Sequence, residues 1–76
     1  ESLKKDLEEA LKTLSERERE VLELFFGIEK EGPMSLEDIG HKLGITKERV
    51  RQIKIFALEK IQKNPKFENL LKSYLG

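Results

Sequence analysis

Glu48, Arg51, Gln52, Ile55 and Glu59 recur at spacings of three and four residues, so a helix places them along one side. Lys47, in the first turn of the same helix, has a stem long enough to reach outward with them. The polar members of this set have the chemistry of base edges: Arg or Lys meets the acceptors of guanine, Gln matches the donor and acceptor of adenine, and Glu accepts from the amino group of cytosine. A plainer reading is a solvated helix face, where the same residue types are common. What decides between the two is the element that would hold this helix.

The surrounding residues 36–55, LEDIGHKLGITKERVRQIKI, fit a helix-turn-helix. Two short helices crossing steeply need a small residue at their closest approach and a turn residue that tolerates positive φ. Gly40 and Gly44 supply them, and Ile39, Leu43, Ile45, Val50 and Ile53 fall where both helices point inward. Ser35 with Asp38 makes an approximate capping box for the first helix, with Asp in place of the usual Glu or Gln, and Thr46 caps the second. On the second helix Val50, Ile53, Ala57 and Ile61 form the apolar stripe opposite the outward set. A recognition helix presents residues of the Lys47, Glu48, Arg51 and Gln52 kind at its N-terminal end.

The 76 residues allow one domain with a modest core, and there is no cysteine for disulfides or thiolate metal sites. Neither a membrane span nor a signal-peptide pattern is present, the absence of disulfides fits a reducing cytoplasm, and a start at Glu1 without methionine fits a piece of a longer protein. The formal net charge of zero conceals a separation. Residues 1–40 hold 6 Lys or Arg against 12 Asp or Glu, residues 41–66 hold 8 against 2, and residues 67–76 hold 1 against 1. The basic block coincides with the recognition helix, so one face is directed toward an anion. Few phosphate contacts are available, and binding should be weak and salt-sensitive. A weak reader needs dimerisation or tethering to a larger assembly. No long heptad segment offers a dimerisation coiled coil, so the chain on its own is expected to be a monomer.

The remaining chain reads as further helices. Ser2 caps a first one carrying Leu3, Leu7, Ala10, Leu11 and Leu14 and ending near Thr13 or Leu14. Ser15 with Glu18 forms a capping box for a second, carrying Val21, Leu22, Leu24, Phe25 and Phe26 and stopped by Gly27. Residues 28–34 read as a loop, Lys63 to Pro65 end the recognition helix, and Pro65 opens a last helix with Phe67, Leu70, Leu71, Tyr74 and Leu75. The expected fold is all-α, a small bundle of about five helices containing a helix-turn-helix, of the winged-helix-like DNA-binding class without a wing. Five helices offer more apolar residues than so small a core hides, so some face a partner, with Phe26 and Ile28 the candidates and Phe25 assigned to the core.

Four strings, Leu14-Ser15-Glu16-Arg17-Glu18, Phe26-Gly27-Ile28, Leu36-Glu37-Asp38-Ile39-Gly40 and Thr46-Lys47-Glu48-Arg49-Val50-Arg51-Gln52-Ile53, resemble region 4 of primary bacterial sigma factors. The resemblance covers nearly the whole chain, and the ending Leu71-Lys72-Ser73-Tyr74-Leu75-Gly76 is similar to Bacteroidetes-type members. It implies the C-terminal domain of an RNA polymerase sigma factor, reading the promoter −35 element in double-stranded DNA without a cofactor. By matched position Lys47, Glu48, Arg51 and Gln52 would read bases. Arg17, Leu36 through its backbone, Thr46, Arg49 and Lys54 would meet the DNA backbone, and Phe26, Ile28 and Ile61 would dock on the flap tip of the polymerase β subunit. An anti-sigma factor or an activator are further partners the resemblance implies. The chain departs from the family at Lys47, where Arg is usual, and at Phe56 and Glu59, where Lys or Arg is frequent. Lysine lacks the forked guanidinium contact to guanine, which implies a looser base preference there.

Three other readings compete. A LuxR-type response-regulator domain opens with a similar Leu-Ser-Glu-Arg-Glu string, but its recognition helix lacks the Arg-Gln-Ile string and its loop is shorter than residues 27–35. A pure protein-docking module would leave the charge step at residue 41 unexplained. An enzyme is not expected, because His41 stands alone and no acid, base and nucleophile converge.

Overall fold

The computed structural model describes residues 2–28 and 32–67. In chain order it contains α1 (Ser2–Leu11), α2 (Glu16–Phe26), α3 (Leu36–Leu43), α4 (Lys47–Lys63) and a 3-10 turn (Pro65–Phe67). The fold among the described residues is thus all-helical, but with four α-helices where about five were expected. The difference lies after Pro65: the Phe67 N–H donates to the Asn64 carbonyl at 2.9 Å, closing a short 3-10 turn. Leu70, Leu71, Tyr74 and Leu75, the rest of the expected last helix, lie outside the described residues.

Helix starts follow the capping chemistry of the sequence. At α2 the Glu18 N–H donates to Ser15 Oγ and the Ser15 N–H donates to Glu18 Oε1, at 3.3 and 3.1 Å, a complete capping box. At α3 Ser35 Oγ accepts from the Asp38 N–H at 3.1 Å, the half of the box that needs only the serine. Thr46 Oγ1 accepts from the Arg49 N–H at 3.1 Å and starts α4. α1 ends at Leu11, two to three residues before the expected Thr13 or Leu14. There the bonds tighten to Thr13 N–H to Ala10 O and Leu14 N–H to Leu11 O, and the Thr13 hydroxyl also donates to Ala10 O at 2.7 Å.

Packing divides into two apolar clusters that share α2 and α4. Val21, Ile39, Val50 and Ile53 form the one beneath α3 and the first half of α4. Leu7, Ala10, Leu11, Leu22, Ala57, Ile61 and Phe67 form the other, which joins α1, α2, the second half of α4 and the 3-10 turn. The stripe Val50, Ile53, Ala57, Ile61 is buried throughout, as its spacing requires. α4 therefore serves as the spine of the molecule. Its inward side holds both clusters and its outward side faces solvent.

Candidate nucleic-acid interface

The crossing of α3 and α4 is set by two glycines. Gly44 adopts φ 73° and ψ 31°, the left-handed region, and closes α3 with its N–H on the Gly40 carbonyl. The Ile45 N–H donates to the same carbonyl at 2.9 Å. At Gly40, a Cβ would stand 2.7 Å from the Ile45 carbonyl oxygen, so only glycine lets the backbone after the turn lie this close to α3. Ile39, Val50 and Ile53 are buried between the helices, with Leu36, Leu43 and Ile45 packed around them. The polar side of α4 is fixed by this burial.

On that side Lys47, Glu48, Arg51, Gln52 and Ile55 are exposed in the first two and a half turns. Ile55 is 38% and Phe56 57% exposed, the large apolar residues that α4 leaves in solvent. Glu48 and Arg51 are bonded to each other: Arg51 Nε donates to Glu48 Oε1 at 3.0 Å and Arg51 Nη2 to Glu48 Oε2 at 2.6 Å. The guanidinium holds the Glu48 carboxyl below the usual glutamate value, and the carboxylate in turn raises Arg51. Glu48 also lies in the first turn of α4, where a negative charge complements the helix dipole.

The candidate backbone contacts are less uniformly placed. Arg49 is exposed beside the base-edge set, and the exposed Thr46 caps α4 with its hydroxyl oxygen, a role that leaves the O–H itself a donor. Leu36 opens α3, ahead of the first bonded N–H groups, those of Asp38 and Ile39, so its own N–H belongs to the orphan set of a helix start. Arg17 is in the first turn of α2 and pairs with Glu20 at 3.7 Å. Lys54 is turned away from the outward set: its Nζ sits 4.6 Å from the centroid of the Phe25 ring, a cation–π contact against α2.

At the other end of α4 the proposed docking residues separate. Phe26 and Ile28 are partly buried at the end of α2, against the cluster of Leu22, Ala57 and Ile61. Ile61, also expected at the docking surface, is 0% exposed: its side chain belongs to the core and offers no surface in this conformation. Phe25 packs in the cluster beneath α3, as expected of a core residue, and meets Phe26 edge to face at 5.4 Å. Residue spacing alone gave no sign of a bridge from Lys60 Nζ to Glu18 Oε1 at 2.9 Å, which ties α4 to the start of α2 across 42 residues. The Glu48–Arg51 pair, by contrast, had a signal in its i,i+3 spacing.

Among the described residues, no helix is long and apolar enough to cross a membrane and no group of three or more His, Cys, Asp or Glu could hold a metal.

Comparison with known proteins gives this arrangement a family. Residues 10–63 match the model of Sigma-70, region 4. The RNA polymerase sigma-C factor of Nostoc sp. is 45% identical over 75 residues, covering 99% of this chain and 18% of that protein. RNA polymerase sigma factor SigA1 of Synechococcus elongatus is 44% identical over 73 residues, 96% of this chain and 18% of that protein. RNA polymerase sigma factor SigA of a Bacillus species is 44% identical over 75 residues, 99% of this chain and 20% of that protein. The chain thus spans about a fifth of the length of these relatives. The match extends from the end of α1 through α4, includes both glycines of the α3–α4 crossing, and sets aside the LuxR-type reading. The chain belongs to the Sigma-70, region 4 family.

Proposed function

We propose that the chain reads the −35 element of promoter DNA as the C-terminal domain of an RNA polymerase sigma factor, with the first turns of α4 in the major groove. The observation that carries this reading is the exposed set Lys47, Glu48, Arg51 and Gln52 on one side of a helix whose opposite side is locked by the Gly40–Gly44 crossing. A solvated face would need no such crossing beneath it. The balance of 8 basic against 2 acidic residues over 41–66 supports the same face as the anionic partner's side. Arg49, Thr46, Arg17 and the Leu36 backbone fix register on phosphates, and Lys54 joins them by leaving Phe25.

The role is binding in support of transcription initiation in the cytoplasm, without a cofactor, and the work is shared with the RNA polymerase core. Phe26 and Ile28, packed against the cluster under the second half of α4, dock on the flap tip of the β subunit. An anti-sigma factor or an activator would act on the same surfaces, and the chain alone is a monomer. Tethering compensates for the small number of phosphate contacts.

The test is an anisotropy titration at low salt of a −35 duplex against a scrambled one, with Gln52→Ala and Arg49→Ala alongside the unaltered chain. The −35 duplex is expected to bind more tightly. Gln52→Ala should lose ~1–3 kcal/mol of discrimination at one base step. Arg49→Ala should weaken both duplexes alike and reduce the salt slope by about 1. Equal affinity of the unaltered chain for the two duplexes would overturn the reading, and a uniform weakening by Gln52→Ala would remove that residue from base readout.

A further inference from the structure

The Glu48–Arg51 pair has a geometry that its contribution to stability does not explain. Both side chains are about half or more exposed, at 61% and 49%. Exposed ion pairs of this kind return little, because ordering two long side chains offsets most of the attraction. Yet Arg51 is held by two bonds, through Nε and Nη2. These use the side edge of the guanidinium. Of its five N–H groups, the pair consumes one on Nε and one on Nη2, leaving the parallel fork at the Nη1 and Nη2 end unbonded by Glu48. That end fork can still meet the O6 and N7 acceptors of guanine with two N–H groups.

We propose that Glu48 is a positioning residue for specificity, acting on DNA through Arg51 by holding the guanidinium side-on with its end fork presented to the bases. The proposal rests on the reading of α4 as a recognition helix and alters one role within it, since Glu48 then needs no base of its own. A free arginine on a helix lying in the groove is drawn to the nearest phosphate, a contact that carries no sequence information. A carboxylate bonded to the guanidinium offsets that pull and repels phosphate from the same spot. Glu48 thus trades sequence-independent affinity for discrimination.

The experiment is a double-mutant cycle over Glu48→Ala, Arg51→Ala and the double variant. Each is titrated by anisotropy against the −35 duplex, a scrambled duplex and a set carrying every single base-pair change across the element. Glu48→Ala is expected to bind the scrambled duplex several-fold more tightly, as one negative charge leaves the interface. It should also lose about tenfold in discrimination at the base pair where Arg51→Ala loses its own. In the Arg51→Ala background the Glu48→Ala change should have no further effect on discrimination. Glu48→Gln, which keeps an acceptor oxygen without the charge, should fall between Glu48→Ala and the unaltered chain.

A loss at a different base pair that persists without Arg51 would make Glu48 a direct reader and overturn the proposal. Unchanged discrimination in Glu48→Ala would overturn it as well and leave the pair a passive surface contact. Failure of the underlying reading is told apart by the unaltered chain alone, whose indifference to all duplexes would remove both claims. Unfolding curves of Glu48→Ala should keep one cooperative transition, shifted only slightly by loss of the exposed pair and the helix-dipole contribution, separating positioning from a structural role.

Discussion

The two halves of α4 are held in different ways. Under the first half, three of the four buried residues, Ile39, Val50 and Ile53, come from within the α3–α4 unit itself, and only Val21 reaches in from α2. Under the second half, Ala57 and Ile61 meet Leu7, Ala10, Leu11, Leu22 and Phe67, residues gathered from both ends of the described chain. The half proposed to read DNA is thus positioned mainly by local packing. The half near the proposed docking surface is packed mainly by residues distant in sequence. One continuous helix joins them, so a partner bound at Phe26 and Ile28 would hold the readout face without any contact to it.

The largest expected effect comes from breaking either cluster. Ile61→Ala and Ile39→Ala should each cost ~2–5 kcal/mol by cavity formation. A chain of 76 residues is expected to have about 4–11 kcal/mol in total, so either change removes a large share. Urea unfolding followed by circular dichroism checks this. If α4 couples the clusters, each variant shifts one cooperative transition; a second, earlier transition in Ile39→Ala alone would show that the α3–α4 unit can come apart while the rest remains folded.

A smaller effect should follow from the bridge that fastens α2 to α4. The Lys60 side chain is 57% exposed and that of Glu18 14%, so removing Lys60 should cost no more than about 1 kcal/mol. The bridge to Lys60 holds the Glu18 carboxyl below its ordinary value of 4.5, with the Ser15 N–H bond adding to the effect. With the folded value below the unfolded one, this stability is fully present above the ordinary glutamate value and is lost as pH falls through the lowered folded value. Unfolding of Lys60→Ala at several pH values should therefore show a shallower loss from about pH 4.5 downward than the unaltered chain. An identical pH profile would mean that the capping box alone sets the Glu18 shift.

Local chemistry was legible in the sequence and distant geometry was not. Ser15 with Glu18, Thr46, Gly27 and Gly44 mark helix ends by bonds to neighbours within a few residues, and each does so in the structure. The buried stripe of α4 follows from helical spacing alone. Ile61 is instructive, because its spacing placed it inside, where the structure buries it, while the family resemblance implied a docking surface. α1 stops early because Thr13 competes for the Ala10 carbonyl, a choice that side-chain periodicity does not register. The Lys60–Glu18 bridge and the Lys54–Phe25 contact depend on how α4 crosses α2, which residue spacing within one helix cannot express. Of the candidate site, the outward set on α4 was readable; the pairing inside it required the side-chain geometry.

The central claim is that the face of α4 opposite Val50 and Ile53 reads promoter DNA while the second half of the helix only holds it in place. Titrating the isotopically labelled chain with a −35 duplex and following backbone amide shifts tests this most directly. Saturating changes are expected over residues 46–55, with Leu36 and Arg17 joining them, and little change at Leu7, Ala10 and Leu11; a scrambled duplex should give weaker, non-saturating shifts. Changes centred on α1 and the second half of α4, or the same pattern with both duplexes, would contradict it.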